Sequence, residues 1–423
     1  MSESSDPLRI EYGIELEGLR VAFQAAPAGA RSFSATYVGP GGWGFDPSGE
    51  EGAARLTSQV VTSAAGRHDR VALARLLDRA GATLSSECGP ESAGVTIWGP
   101  SAEWELLLGL LADSVLRPRF APDDVARVRR QALERQLREL THPASRADRE
   151  LLSSIFPRGH PYRLTGRGDR RSIARLTSDR LARFHRAHYT SAGSVLVVTA
   201  PVRRATIERA ARRLFRGFAT TAAPTLRTAS LPPRAPRSQS IDLPGRSQVE
   251  IRVGGPSISR SAAEYPAAYL ANEILGARPL LSRLFQRVRE KGGLAYHASS
   301  TISAMQRGGY WEAQAGTGAD RYRKVVPMLE EEVDRLRTED VPPAELEAIR
   351  ESTIGEIPLS LESTADAHEL AVEVAYYGLP EDWWIAWPAR LRGIRPRELR
   401  AAAAVAFDPA RSVTVLAGPI GHR

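Results

Sequence analysis

The residues best suited to chemistry in this 423-residue chain are few, and their spacing does not favour it. Eight histidines are present, and only His185 and His188 lie close together in sequence, three positions apart. No acidic residue lies within four positions of either, so we interpret both as packing or surface histidines near a helix end. The single cysteine, Cys88, precedes Gly89 and Pro90, which predicts a strand end rather than a nucleophile. These residues alone indicate no catalytic centre.

The composition is that of an ordinary globular chain, and it excludes several classes of protein. Hydrophobic residues make up 42% and charged residues 25%, both typical of folded domains. One cysteine allows neither an intrachain disulfide nor a zinc finger, and it suits a reducing compartment. No apolar run is long enough to cross a membrane, so no membrane partner is expected. We therefore expect a cytoplasmic protein.

The net charge of +8 is carried almost wholly by arginine, since the 57 basic residues include only two lysines. Nine of the arginines fall between residues 158 and 186, where two aspartates oppose them. This stretch predicts either a solvated basic face or a surface for an acidic peptide or partner. No nucleic-acid-binding motif accompanies the charge, so nucleic acid is not an expected partner.

The chain carries signs of a tandem duplication. Residues 194–202 resemble residues 412–420, and both are apolar runs of strand length that end at a proline. Two weaker matches follow the same order at nearly the same offset. Residues 219–239 are rich in Ala, Pro, Thr and Ser, which is the composition of a linker. We predict two homologous domains, residues 8–218 and residues 240–423.

Each half mixes predicted strands and helices without strict alternation. In the first half, strands are expected within residues 10–25, 32–38, 82–98 and 194–199. Helices are expected over residues 51–64, 71–80, 102–116, 122–140 and 178–187. This order predicts an α+β fold, with a mainly antiparallel sheet in each domain and helices over one face of it.

Four segments carry a resemblance to a known family. They are residues 52–59, residues 156–162 with Gly166, residues 188–189, and residues 282–296, of which the last is the most specific. On these segments the chain resembles the pitrilysin/insulinase family of zinc metallopeptidases, in the branch of mitochondrial processing peptidase and its bacterial relatives. The resemblance covers nearly the whole chain. It implies one half of a clamshell that encloses a peptide chamber.

The zinc motif of this family is missing. Active members carry H-x-x-E-H, in which two histidines bind zinc and the glutamate is the general base, and a glutamate on a later helix completes the ligands. Here the matching positions are Arg55, Ser58 and Gln59, and the later one falls on Arg135. An arginine about 4 Å from Zn²⁺ would be opposed by roughly 8 kcal/mol at an effective dielectric of about 20. No metal and no cofactor are expected in this chain.

A second constellation of the family, Arg289 with Tyr296, is present. The resemblance implies that this pair reaches a zinc site held by another subunit. There the tyrosine would hydrogen-bond the oxyanion that forms when water attacks a peptide carbonyl, and the arginine would hold the substrate. Loss of the zinc residues beside an intact pair predicts the non-catalytic subunit of a heterodimeric zinc endopeptidase. Expected partners are a homologous H-x-x-E-H subunit, which would hold the zinc, and an unfolded peptide or leader peptide.

A different interpretation stays open on the sequence alone. The segment around Arg289 and Tyr296 also characterises the fold of the second domain, so its persistence does not require a catalytic task. The chain would then be a structural or binding protein with no part in proteolysis, since a fold can be kept for another role. On its own, the chain is not expected to be an enzyme under either interpretation.

Overall fold

A computed structural model describes residues 6–163, 165–218, 222–226, 228, 230–231 and 235–420. The chain divides into two compact units, each built from segments that are not consecutive. Unit 1 comprises residues 1–136, 165–227 and 356–386, and unit 2 comprises residues 137–164, 228–355 and 387–423. Among the described helices, none combines the length and the apolar character that a bilayer crossing requires.

The described residues form eleven strands and fourteen α-helices. The strands are β1 (Ile10–Leu16), β2 (Leu19–Ala25), β3 (Ser32–Gly39), β4 (Thr83–Cys88), β5 (Ala93–Pro100), β6 (Val195–Ala200), β7 (Arg237–Asp242), β8 (Gln248–Ser257), β9 (Ala295–Met305), β10 (Gly308–Gly318) and β11 (Val413–Gly418). The helices are α1 (Ala53–Val61), α2 (Arg70–Ala80), α3 (Trp104–Leu116), α4 (Pro122–Thr141), α5 (Pro143–Ile155), α6 (Arg170–Arg175), α7 (Ser178–His188), α8 (Arg204–Leu214), α9 (Tyr265–Asn272), α10 (Tyr322–Thr338), α11 (Pro343–Leu359), α12 (Thr364–Tyr377), α13 (Trp383–Gly393) and α14 (Pro396–Ala406).

Unit 1 is built on a six-stranded sheet in the order β1-β2-β6-β3-β5-β4. Only the β2–β6 pair is parallel, and the other neighbours are antiparallel. Alternation along β3 sends Phe33, Ala35 and Tyr37 into an apolar core, where α3 lies against β3 and β5. The opposite face of β3 carries the hydroxyl groups of Ser34 and Thr36.

Unit 2 is built on a five-stranded sheet in the order β7-β11-β8-β10-β9, in which only β7 and β11 are parallel. Trp311 of β10 is fully buried and meets the ring of Phe407 at 5.8 Å. Its neighbours along β10, Glu312 and Gln314, lie on the other face of the strand. The sheet therefore has one apolar face and one face with a polar strip.

A further helix covers the polar face of each sheet, and it comes from a distant part of the chain. In unit 1 it is α12, which contacts β6 and β3, and in unit 2 it is α5, which contacts β8 and β11. Covering by α12 explains why Ser34 and Thr36 are buried although they are polar. The predicted α+β class with mainly antiparallel sheets is confirmed, and these second-face helices add to the single helical layer expected from the sequence.

The units do not coincide with contiguous halves of the chain, because residues 137–164 join unit 2 and residues 356–386 join unit 1. The predicted division into residues 8–218, 219–239 and 240–423 stays a prediction, as does the duplication. Within the predicted linker, residues 219–221, 227, 229 and 232–234 lie outside the described residues.

Candidate functional site

Helix α1 is a well-formed helix. It carries the positions that bind zinc in active members of the family that the chain resembles. Its N-terminus is capped by Asp46, whose carboxylate accepts backbone N–H bonds from Gly52 and Ala54, each at 2.7 Å. Leu56 and Val60 are buried one turn apart and anchor the helix to its core. The ligand positions are therefore presented by a rigid element, and only their side chains are unsuited to zinc.

Two of the three motif positions on α1, Arg55 and Ser58, are engaged in other contacts. Arg55 lies over the ring of Trp43 at 5.2 Å, and its Nη2 donates to the carbonyl of Thr165 at 3.4 Å. Ser58 is buried, and its hydroxyl donates to the carbonyl of Glu87 at 3.2 Å. Gln59 is half-buried. A stacked cation and a hydroxyl that already donates are poor zinc ligands, so the residues present do not fit the metal.

The fourth predicted position, Arg135, lies half-buried on α4. The next residue, Gln136, is buried, and its amide donates to the carbonyl of Gly168 at 3.3 Å. Gln136 continues the inward stripe of α4 that Val125 and Val128 begin. Neither Arg135 nor Gln136 supplies the carboxylate that the family uses. Across the described residues, no group of three or more His, Cys, Asp or Glu could hold a metal ion.

A cleft of about 820 Å³ lies beside α1 in unit 1. Its floor is formed by β3 and β5, one side by the edge strand β4, and the other by α12. The polar lining includes Arg55 and Cys88 near α1 and Glu369 and Glu373 on α12. The cleft is long and rich in hydroxyl groups, and it exposes a strand edge rather than a set of converging catalytic groups.

One histidine that lines this cleft, His368 of α12, is fully committed to an internal network. Its Nδ1 and Nε2 each lie 2.8 Å from a hydroxyl, those of Thr199 and Thr36 respectively. The Thr199 hydroxyl donates to Oε1 of Gln24, so it must accept from Nδ1–H of His368, and Nε2 must accept from Thr36. Burial lowers the pKa of His368 to about 3, which keeps the ring neutral. This network could not be predicted from sequence spacing, because its members are far apart in the chain.

Cys88 also lines the cleft, and the structure agrees with its interpretation as a strand-end residue. It is the last residue of β4. Burial raises the pKa of its thiol to about 12, although the charge of Arg55 acts in the opposite direction. A thiol with that pKa is not a nucleophile at neutral pH.

Arg289, the first member of the predicted pair, lies in unit 2 on an unusual turn. Residues Phe285–Glu290 form a π-helical segment, and π-helical turns are rare and concentrated at functional sites. The Arg289 side chain is exposed, and its guanidinium lies over the ring of Phe285 at 4.9 Å. Gly293 follows with a φ of +57°, which closes the turn through its N–H bond to the Arg289 carbonyl.

Tyr296, the second member, follows the turn at the start of the edge strand β9. The register of β9 with β10 pairs His297 with Gly316 and Ala295 with Thr317, so Tyr296 is the extra residue of a β-bulge. Its side chain is 66% exposed, the largest exposure among the bulky hydrophobic and aromatic residues described. Arg289 and Tyr296 thus flank one turn of unit 2, whereas Arg55, Ser58, Gln59 and Arg135 all belong to unit 1.

The basic stretch between residues 158 and 186 is divided between the two units. Residues 158–163 belong to unit 2 and the remainder to unit 1. Arg163 donates to the carbonyl of Phe156 at 2.6 Å, and Arg180 pairs with Glu50 at 2.6 Å. Part of the charge is therefore structural. The two predicted alternatives, a solvated basic face and a surface for an acidic partner, therefore apply only to the exposed arginines of this stretch.

Comparison with known proteins finds similarity to zinc proteases and to an inactive peptidase domain. A family model described as the peptidase M16 inactive domain matches residues 175–353. An uncharacterized zinc protease of Mycobacterium leprae is 26% identical over 359 residues, which are 82% of this chain and 78% of that protein. The chain is similar to members of the M16, or pitrilysin, family. The family predicted from the sequence is therefore confirmed, and the matched M16 model is that of its inactive domain.

Two solved structures show the same fold. An M16 inactive-domain protein from Pseudomonas fluorescens has a TM-score of 0.91 at 23% identity, with 98% of each chain covered. A protease from Helicobacter pylori has a TM-score of 0.88 at 16% identity, with coverage of 96% of this chain and 99% of that one. At these identities the likeness concerns the fold alone.

Proposed function

We propose that this chain is the non-catalytic subunit of a heterodimeric zinc endopeptidase that cleaves unfolded peptides or leader peptides. The observation that carries the proposal is the contrast between two sets of family residues. The zinc ligands are absent and two of their positions, Arg55 and Ser58, make internal contacts, whereas Arg289 and Tyr296 are exposed on irregular backbone. A single cysteine suits a cytoplasmic complex.

The roles of the two subunits then follow from the side chains each would supply. A homologous H-x-x-E-H partner holds the zinc ion, the attacking water and the general base. From this chain, the Tyr296 hydroxyl donates a hydrogen bond to the oxyanion that develops on the scissile carbonyl. The Arg289 guanidinium holds a neighbouring carbonyl oxygen of the peptide or orients the tyrosine. Both groups are solvent-exposed in this chain, as a site completed by a partner requires.

The cleft of unit 1 supports the peptide-holding part of the proposal. Strand β4 is an edge strand of its sheet and lines the cleft, so an extended peptide can pair with it as an added strand. Such pairing is tolerant of sequence, because the main chain provides most of the hydrogen bonds. This chain would therefore form one wall of the peptide chamber without acting on the peptide there.

The test is reconstitution. This chain, an H-x-x-E-H homologue from the same genome, and their equimolar mixture are assayed against a panel of unstructured peptides, with size-exclusion chromatography to follow assembly. The proposal predicts no cleavage by this chain alone and a gain in kcat/KM for the mixture over the partner alone. Equal activity of the partner with and without this chain would contradict the proposal and favour a structural or binding protein of the same fold.

A further inference from the structure

His297, the residue after Tyr296, has an imidazole ring that packs directly against the neighbouring strand. His297 pairs across the strands with Gly316 of β10. A Cβ atom on Gly316 would lie 2.4 Å from Cε1 and 2.7 Å from Nδ1 of the imidazole, well inside van der Waals contact. The ring therefore rests on the backbone of β10 at the point where the bulge begins, and only glycine permits it.

The far edge of the same ring contacts a chain of charged groups, of which Glu250 and Arg252 are buried. Nε2 of His297 lies 3.5 Å from Oε2 of Glu250 on β8, and that carboxylate is also 3.0 Å from Nη1 of Arg252. Nε of Arg252 lies 2.7 Å from Asp148 of α5. Burial acts to raise the pKa of Glu250, but His297 and Arg252 together hold it below its usual value. The carboxylate is thus fixed in its charged form, and it is a firm anchor for His297.

These two contacts span three strands and fix the register at the bulge. Because the side-chain period of a strand is two, moving the unpaired residue by one position would turn Tyr296 toward the other face of the sheet. The extra residue of a bulge re-aims the side chain it carries. The neighbouring cross-strand contact, from Gln314 Nε2 to the Ser299 hydroxyl at 2.9 Å, lies in regularly paired strand and does not touch the bulge.

We propose that His297, seated over Gly316 and tied to Glu250, is a positioning residue that holds the Tyr296 bulge and so determines where the Tyr296 hydroxyl lies. This inference rests on the proposed function, in which that hydroxyl reaches the partner's site. His297 touches no reacting atom in this account, and its effect on the reaction passes through Tyr296.

The kinetic test uses the reconstituted complex. His297→Ala removes the ring, and Gly316→Ala displaces it. Each should lower kcat by about ten- to a hundredfold with little change in KM, as expected when a catalytic contact is misplaced by about an ångström. His297→Gln, whose amide can still donate to Glu250, should recover part of the loss. Ser299→Ala is the matched control, since it removes a similar contact two residues away, and it should leave kcat unchanged.

Two further measurements separate this inference from the proposed function. In His297→Ala combined with Tyr296→Phe, kcat should be no lower than in Tyr296→Phe alone, because both changes remove the same contact. In the uncomplexed chain, hydrogen–deuterium exchange should rise at residues 294–298 in His297→Ala and not in Ser299→Ala. A Tyr296→Phe complex that is impaired while His297→Ala is fully active would overturn the positioning role alone. Full activity of an assembled Tyr296→Phe complex would overturn the tyrosine's part in the proposed function.

Discussion

Helix α1 of unit 1 and the segment from Phe285 to Tyr296 of unit 2 differ in how their polar groups and backbone are used. On α1 the backbone is regular and capped, Ser58 is buried with its hydroxyl bonded to a carbonyl, and Arg55 stacks on Trp43. In the unit 2 segment a π-helical turn and a β-bulge replace regular geometry, and both chemistry-bearing side chains point to solvent.

This comparison separates a region that contributes to packing from a region whose irregular backbone packing alone does not explain. At the positions that match the family's zinc motif, Ser58 is buried and Arg55, Gln59 and Arg135 are half-buried. Irregular backbone has an energetic cost, and it persists where the surrounding structure enforces it, most often at functional sites. Leu280, which precedes the turn, adds a non-glycine φ of +65° and a side chain that is 63% exposed. Within unit 2, these deviations cluster near the proposed pair.

The largest effect expected from this contrast concerns metal. An arginine within about 4 Å of Zn²⁺ opposes binding by roughly 8 kcal/mol, so the purified chain should hold no stoichiometric zinc. Elemental analysis of this chain and of its H-x-x-E-H homologue, both after mild chelation, makes the comparison. One zinc ion retained per copy of this chain would contradict the loss of the zinc site, because unit 1 would then still bind the metal.

Acid should weaken unit 1 through its buried histidines, of which His368 has a lower pKa than His185. The pKa of His368 is about 3 in the folded chain and near 6.5 in the unfolded chain. Between these pH values, the unfolded chain therefore binds a proton that the folded chain does not bind. The free energy of unfolding should therefore fall as pH drops below about 6.5, by about 2 kcal/mol at pH 5 from this residue, and the loss is complete near pH 3. Urea unfolding of wild type and His368→Asn at pH 7 and pH 5 measures it. The same pH dependence in both proteins would show that His368 is not the group responsible.

A smaller effect is expected at Arg289. If its guanidinium holds a peptide carbonyl, Arg289→Ala should raise KM of the reconstituted complex about tenfold, the size of a charge-assisted hydrogen bond. Lys291→Ala removes another exposed cation from the same turn and is the control, with KM expected to stay the same. Equal changes in both variants would indicate a general charge effect rather than a specific contact.

Much of the fold could be predicted from local pattern. The helix expected over residues 71–80 is observed as Arg70–Ala80, and the one expected over 122–140 as Pro122–Thr141. Apolar periodicity and caps are local signals, and they placed these elements. The pattern could not show that α5 and α12 would cover the polar faces, because an amphipathic helix reveals its apolar face and not the sheet it will meet.

The candidate site was predicted as residue identities and not as geometry. Arg289, Tyr296 and the lost zinc positions came from motif resemblance, and their roles remain predictions. The bulge at Tyr296 and the position of the His297 ring depend on how β9 pairs with β10. The spacing of residues within β9 does not determine that pairing. The neutral tautomer of His368 likewise depends on Thr36, Thr199 and Gln24, which join it only in the folded chain.

The most direct test of the central claim is the kcat of the reconstituted heterodimer with Tyr296→Phe, measured beside wild type and with assembly checked by size-exclusion chromatography. Loss of one oxyanion donor should lower kcat by about 10²–10³, or roughly 2.7–4 kcal/mol, and leave KM nearly unchanged, since that bond strengthens only in the transition state. An assembled Tyr296→Phe heterodimer with the kcat of wild type would contradict the account, because the tyrosine would then be structural.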